Sequence, residues 1–244
     1  IEYRYANRAI PAPNTTPSAV QLAELFAEMR AAGVDAVAIE LSSHAADQRR
    51  ISGIQFDTVI FTNLTQDHLD YHGTMESYAE AKRSIFTDYL LRSKKAGKHP
   101  AAVFNADDAW GAAFARDFAP LAPMLRFGIE TPDADIRATN IRTSASGTEF
   151  GVLGPGERQE QCRLKLIGRF NVLNALGVWA GCLVSGIGQE TVQRGLAEVC
   201  PNFGRFEQVD EGQDFIVIVD YAHTPDALEN VLRNARPMTE GRLI

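Results

Sequence analysis

Cysteine is scarce in this sequence: Cys162, Cys182 and Cys200 are the only ones in 244 residues. Their number is odd, and their spacing fits neither a zinc site nor a disulfide framework. That excludes a stapled secreted module and points to a reducing compartment, the cytosol. Long apolar runs are also missing. None approaches the roughly 18 residues of a membrane-spanning helix, so no membrane partner is expected. The chain opens on Ile1, without a leader pattern, and is expected to be part of a longer protein. Positive charge is thin as well. The formal net charge is -7, and the densest basic stretch is Arg92, Lys94, Lys95 and Lys98. Ser and Gly surround it, which suggests a solvated loop and no nucleic-acid partner. Neither G-x-x-x-x-G-K-[ST] nor G-x-G-x-x-G occurs.

What is present is a core. Hydrophobic residues make up 45% of the chain, which argues against global disorder. Ile1, Tyr3 and Tyr5 alternate with polar residues like a short strand. Thr16-Pro17 reads as a helix start with Thr16 as N-cap. The apolar face of that helix is Leu22, Leu25, Phe26 and Met29, and Gly33 stops it. Val34–Leu41, Thr58–Thr62 and Ala101–Phe104 are continuous apolar runs, the pattern of parallel strands covered on both faces. Ligands of open α/β sheets gather at the carboxyl ends of the strands, where Glu40, Asn63 and Asn105 would stand. Asp135–Thr143 and Thr148–Leu153 alternate and are broken by Gly and Ser, as in a small antiparallel sheet. Helices are expected near 170–185 and 190–199. A domain boundary is expected near Pro201–Phe206, followed by a buried strand at Asp214–Asp220 and a helix from Thr224-Pro225. The fold class is therefore α/β: a mostly parallel sheet flanked by helices, a small antiparallel subsheet, and the start of a Rossmann-like domain. The domains would be 1–204 and 205–244.

Four segments carry candidate chemistry. Asp67, His68, Asp70 and His72 offer hard oxygen and imidazole donors, suited to a divalent metal or equally to a polar loop of structural hydrogen bonds. Lys82 falls on the apolar stripe of a helix from about Thr74 to Leu91, between Tyr78 and Phe86. There it either snorkels to solvent, pairs with a carboxylate, or acts as a desolvated lysine at a reaction centre. Glu40 could be a metal ligand at a strand end. Asp220 lies just before a helix N-terminus that attracts anions and could accept from ribose hydroxyls. Asp226 would either join that site or simply favour the helix dipole.

Taken together, Asn14-Thr-Thr-Pro17, Ala38–His44 with Gln48 and Arg50, Thr62–Gly73, Ala81-Lys82, Asn105–Asp108, Leu166–Asn174 and Asp220–Asp226 resemble the Mur ligase family, in its order and approximate spacing. The resemblance covers nearly the whole chain. It implies an ATP- and Mg²⁺-dependent ligase that joins a diamino acid, meso-diaminopimelate or L-lysine, to UDP-N-acetylmuramoyl-L-alanyl-D-glutamate through an acyl phosphate. Thr15, Thr16, Ser42, Gln48 and Arg50 would hold the UDP-sugar-dipeptide. Glu40, His68 and Lys82 would be catalytic and bind metal, Lys82 as a carbamate (N6-carboxylysine). Asn105, Asn171, Asn174, Arg205 and Asp220 would contact the nucleotide. The family's phosphate loop would precede Ile1 and its diamino-acid motif would follow Ile244, so residues 1–244 alone are expected to be inactive. A monomer is expected. The competing readings are a folylpolyglutamate- or cyanophycin-synthetase-like ligase, a metal-dependent hydrolase built on Asp67, His68, Asp70 and His72, and a non-catalytic binding module.

Overall fold

A computed structural model describes residues 2–144, 146–155, 159–200, 204–239 and 241–244. The Asp226 side chain and part of the expected boundary at Pro201–Phe206 lie outside the described residues. The chain forms two units. The first contains residues 1–59 and 68–100, and the second contains 60–67 and 101–244.

The first unit begins with a hairpin of β1 (Glu2–Tyr5) and β2 (Arg8–Pro11). Its turn residues Ala6 and Asn7 both have positive φ, 44° and 64°, the two-residue geometry that matches strand twist. Helix α1 (Ala19–Ala31) starts two residues later than expected. Ser18 is the N-cap, and with Gln21 it forms a reciprocal capping box. The Thr16 hydroxyl is unavailable for capping because it donates to the Glu40 carbonyl at 2.7 Å and accepts from the Ser42 amide at 3.2 Å. Val34–Leu41 is not a strand. An apolar run reports that both faces suit burial. A strand also needs a ladder partner, and no described residue supplies one. The run instead lines a cavity of about 370 Å³ with the hairpin and α1.

Helices α2 (Ser43–Asp47), α3 (Leu69–His72) and α4 (Met75–Ser84) follow in this unit. After α4 the helix widens into a π-helical segment, Ile85–Leu90, and then narrows again as α5 (Leu91–Lys95). The expected basic loop is thus partly helical, and Lys98 pairs with Asp57 at 2.7 Å. Ile85, Phe86, Tyr89 and Leu90 are buried, and the Tyr89 hydroxyl donates to the Ala46 carbonyl at 3.0 Å.

β3 (Thr58–Phe61) carries the chain into the second unit and heads a six-stranded sheet in the order β3-β4-β5-β6-β7-β8. β4 (Ala101–Asn105), β5 (Met124–Gly128) and β6 (Ile136–Ser144) are mutually parallel. β6, β7 (Gly147–Leu153) and β8 (Gln159–Leu164) are antiparallel, so the expected subsheet is an extension of the main sheet. Every residue of β4 is buried. Val103 belongs to the cluster around Trp179 of α7 (Arg169–Val184), while Phe104 packs against Phe118 of α6 (Ala109–Phe118). Successive strand residues point to opposite faces, so the sheet is covered on both. Gly111 lets α6 approach β4: a Cβ there would lie 2.1 Å from the Asn105 carbonyl oxygen.

Helix α8 (Gln189–Glu198) completes this core through Val192 and Leu196. β9 (Glu207–Val209) then pairs antiparallel with β10 (Val217–Val219), and Thr224 caps α9 (Pro225–Ala235). The strand expected at Asp214–Asp220 is shorter and not buried: Phe215 is 64% exposed and Val219 40%. Among the described residues, this region packs through Ile167, Phe206 and Ala235. No helix among the described residues is long and apolar enough to cross a membrane.

Candidate functional site

In the first unit, Thr16, Ser42, Gln48 and Arg50, four of the five residues expected to hold substrate, form one hydrogen-bonded chain. Thr16 is 1% exposed, and its hydroxyl joins the Glu40 carbonyl to the Ser42 amide. The Ser42 side chain caps α2 by accepting from the Ala45 amide at 3.1 Å. Arg50 donates from Nη1 to the Thr16 carbonyl at 3.1 Å and from Nε to Gln48 Oε1 at 2.9 Å. Gln48 Nε2 reaches the Tyr71 hydroxyl at 3.3 Å, and that hydroxyl donates to Asp47 at 2.6 Å. Arg50 is therefore oriented before any anion arrives, which favours bidentate capture of a carboxylate or phosphate. Thr15 lines the 370 Å³ cavity, as does Glu40.

Thr16 provides a direct test of this frame. Thr16→Val keeps the shape and removes both part-buried bonds, leaving the Ser42 amide and the Glu40 carbonyl without this partner. The expected cost is about 1–3 kcal/mol. It should appear as a lower denaturant midpoint at an unchanged m-value.

Tyr71 connects the chain to a cluster of rings. Its ring lies 4.2 Å from that of His44, and His44 meets His68 edge-on at 4.8 Å and His72 at 5.4 Å. His72 stacks on Tyr78 at 5.1 Å, with 17° between planes, and its Nε2 lies 2.9 Å from Ser43 Oγ. Lys82 Nζ lies over the Tyr78 ring, 4.9 Å from the centroid. Burial lowers the pKa of both His44 and His72. The neighbouring imidazoles, His68 first for His44 and His44 first for His72, push the same way. Both rings are thereby biased towards the neutral form. His68 occupies the left-handed backbone region, φ 53°, just before α3. A non-glycine residue there marks a backbone position fixed by its surroundings.

Sequence reasoning missed His44, Tyr71 and Tyr78. Tyr78 looked like core on a helical stripe. The signal was its spacing of four residues from Lys82, which puts the two side chains on neighbouring turns. Glu40 does not end a strand, because its segment forms none. Among the described residues no three His, Cys, Asp or Glu side chains form a group that could hold a metal ion. The loop donors Asp67, His68, Asp70 and His72 thus make no cage. The donor chemistry still suits Mg²⁺, which keeps several waters and needs only one or two carboxylates plus substrate phosphates.

The expected nucleotide residues belong to the second unit, and several already serve the fold. Asn105 donates to the Thr62 carbonyl at 2.7 Å and accepts from the Asp107 amide at 3.0 Å. Asn171 is buried and donates to the Ile167 carbonyl at 2.8 Å. Asp220 accepts from the amides of Phe206 and Ala222, at 2.7 and 2.8 Å. Asn174 is exposed on α7. Arg205, also exposed, lines a cavity of about 440 Å³ with Lys165 and Glu207.

The Mur ligase middle domain profile matches residues 2–182, and the Mur ligase, glutamate ligase domain profile matches residues 204–244. A UDP-N-acetylmuramoyl-L-alanyl-D-glutamate--2,6-diaminopimelate ligase of Geobacillus kaustophilus is 44% identical over 98% of this chain and 48% of its own length. Its counterpart from Geobacter metallireducens is 40% identical over 100% of this chain and 47% of its own. A solved structure of a ligase with the same name superposes with a TM-score of 0.78 at 27% identity, covering 95% of this chain and 46% of that one. The chain belongs to the Mur ligase family. It spans about half the length of the curated relatives it matches.

Proposed function

We propose that the chain is the central part, with the start of the C-terminal domain, of a cytosolic ATP-dependent ligase. That ligase adds a diamino acid to UDP-N-acetylmuramoyl-L-alanyl-D-glutamate. The names of the relatives favour 2,6-diaminopimelate over L-lysine. Domains at 1–204 and 205–244, a monomeric state, and nucleotide contacts from Asn105, Asn171, Asn174, Arg205 and Asp220 belong to the same reading.

The observation that carries it is the continuous frame from Thr16 through Arg50, Gln48 and Tyr71 to the rings bearing His68 and Lys82. Arg50 would hold an anionic group of the UDP-sugar-dipeptide, with Ser42 and Gln48 fixing its direction. Glu40, His68 and a carbamate on Lys82 would hold Mg²⁺, which when bound neutralises charge on the transferring phosphoryl group. ATP phosphorylates the free carboxylate of the dipeptide, and the amine of the diamino acid attacks the acyl phosphate and expels phosphate.

The test is phosphate release by the full-length protein. Turnover should require ATP, the UDP-sugar-dipeptide and diaminopimelate together, and residues 1–244 alone should give none. ATP-independent hydrolysis by the full-length protein would overturn the assignment.

A further inference from the structure

Tyr78 touches both His68 and Lys82. The Lys82 amine lies over its face, and the His68 ring meets it at 5.8 Å and 85°, edge to face. The tyrosine ring is itself held: it is 5% exposed and stacked on His72, which is tied to the buried Ser43. A leucine would fill similar space in the α4 stripe but would offer no flat ring face for the Lys82 side chain and the His68 imidazole to rest against. The tyrosine therefore provides geometry that apolar packing alone does not require.

We propose that Tyr78 is a positioning residue whose ring fixes Lys82 and His68 relative to each other, so that two proposed metal ligands share one rigid platform. This rests on the metal-site reading above. It assigns to a side chain that bonds no metal the task of setting the ligand spacing. Residues that orient ligands commonly matter nearly as much as the ligands themselves.

The experiment uses the full-length protein with ¹³C-labelled lysine, bicarbonate present, and Mn²⁺ as probe. In the wild type the Lys82 ε-methylene protons should resonate upfield of the other lysines, shifted by the ring current. Tyr78→Phe should keep that shift and bind Mn²⁺ within about twofold of wild type, whereas Tyr78→Leu should lose the shift and bind about tenfold or more weakly. Far-UV circular dichroism shows whether each variant is folded. An unshifted Lys82 signal in the wild type overturns the proposal without any variant, which covers the case of Tyr78→Leu failing to fold. Wild-type Mn²⁺ affinity in a folded Tyr78→Leu overturns it too. If the wild type binds no Mn²⁺ near Lys82, the metal-site reading fails, and the lysine shifts still decide whether Tyr78 holds Lys82.

Discussion

Replacing Lys82 by alanine in the full-length protein should lower turnover about 100- to 1,000-fold, the usual scale for losing one electrostatic contributor to a charged transition state. The argument depends on what the amine can become. The lysine ammonium first gives up a proton; the neutral amine then adds CO₂ and releases a second proton, leaving a carbamate anion with two oxygen donors. An arginine at the same place keeps a positive charge but does not make that conversion. Lys82→Arg should therefore be about as inactive as Lys82→Ala. If Lys82→Arg retained activity within a few-fold of wild type, Lys82 would be acting as a simple cation and the carbamate would be excluded. The loss should fall mainly on kcat, because substrate binding is proposed for Thr15, Thr16, Ser42, Gln48 and Arg50. Thermal melts should match wild type, because Lys82 is only half-buried at the edge of its unit's core.

Asp107→Ala should produce the largest loss of stability. The Asp107 carboxylate accepts from the amides of Ile129, Glu130 and Thr131 and from the Thr131 hydroxyl, at 2.6–3.1 Å. Alanine would leave three loop amides without their acceptor. A cost of about 3 kcal/mol is expected, since hydrogen bonds to a charged group are the strong ones. For a chain of this size that lowers Tm by roughly 6–12 °C. The pH dependence follows from the same contacts. Burial pushes the Asp107 carboxyl up, but the four donors outweigh it and hold its pKa below the usual carboxylate range. A depressed folded pKa contributes stability above the unfolded pKa, and that contribution is lost as pH falls through the folded value. The gap between wild type and Asp107→Asn should therefore be widest near neutrality and close below about pH 4. A gap that stayed constant down to acid pH would show that the charge plays no part in the clamp.

The parts of the fold that were legible in sequence are those where one segment contains its own answer. The α7 and α8 stripes, the buried run of β4 and the Thr224-Pro225 helix start were all placed within a residue or two. Val34–Leu41 was misread because its apolar pattern says nothing about whether a neighbouring strand exists. Thr16 was misread because its hydroxyl bonds to residues 24 and 26 positions away, which local capping rules do not see. At the candidate site, family motifs supplied residue names but not the frame between them. The Gln48–Tyr71 and His72–Ser43 contacts join segments more than twenty residues apart. Tyr78 escaped notice because an aromatic on a helical stripe reads as packing, and here it is packing and platform at once.

The π-helical segment Ile85–Leu90 has a mechanical consequence. An ordinary helix keeps one angular phase from end to end, so a face that presents a lysine in one turn would keep that aspect several turns later. Widening the coil just after Ser84 resets that phase. Tyr78 and Lys82 can look towards the histidine rings while Tyr89 reaches the Ala46 carbonyl. The wide turn acts as a gear between a chemical half and an anchoring half, and its tooth count matters more than the identity of its side chains. A one-residue deletion there would preserve composition and apolar character, yet it would swing one half out of alignment with the other.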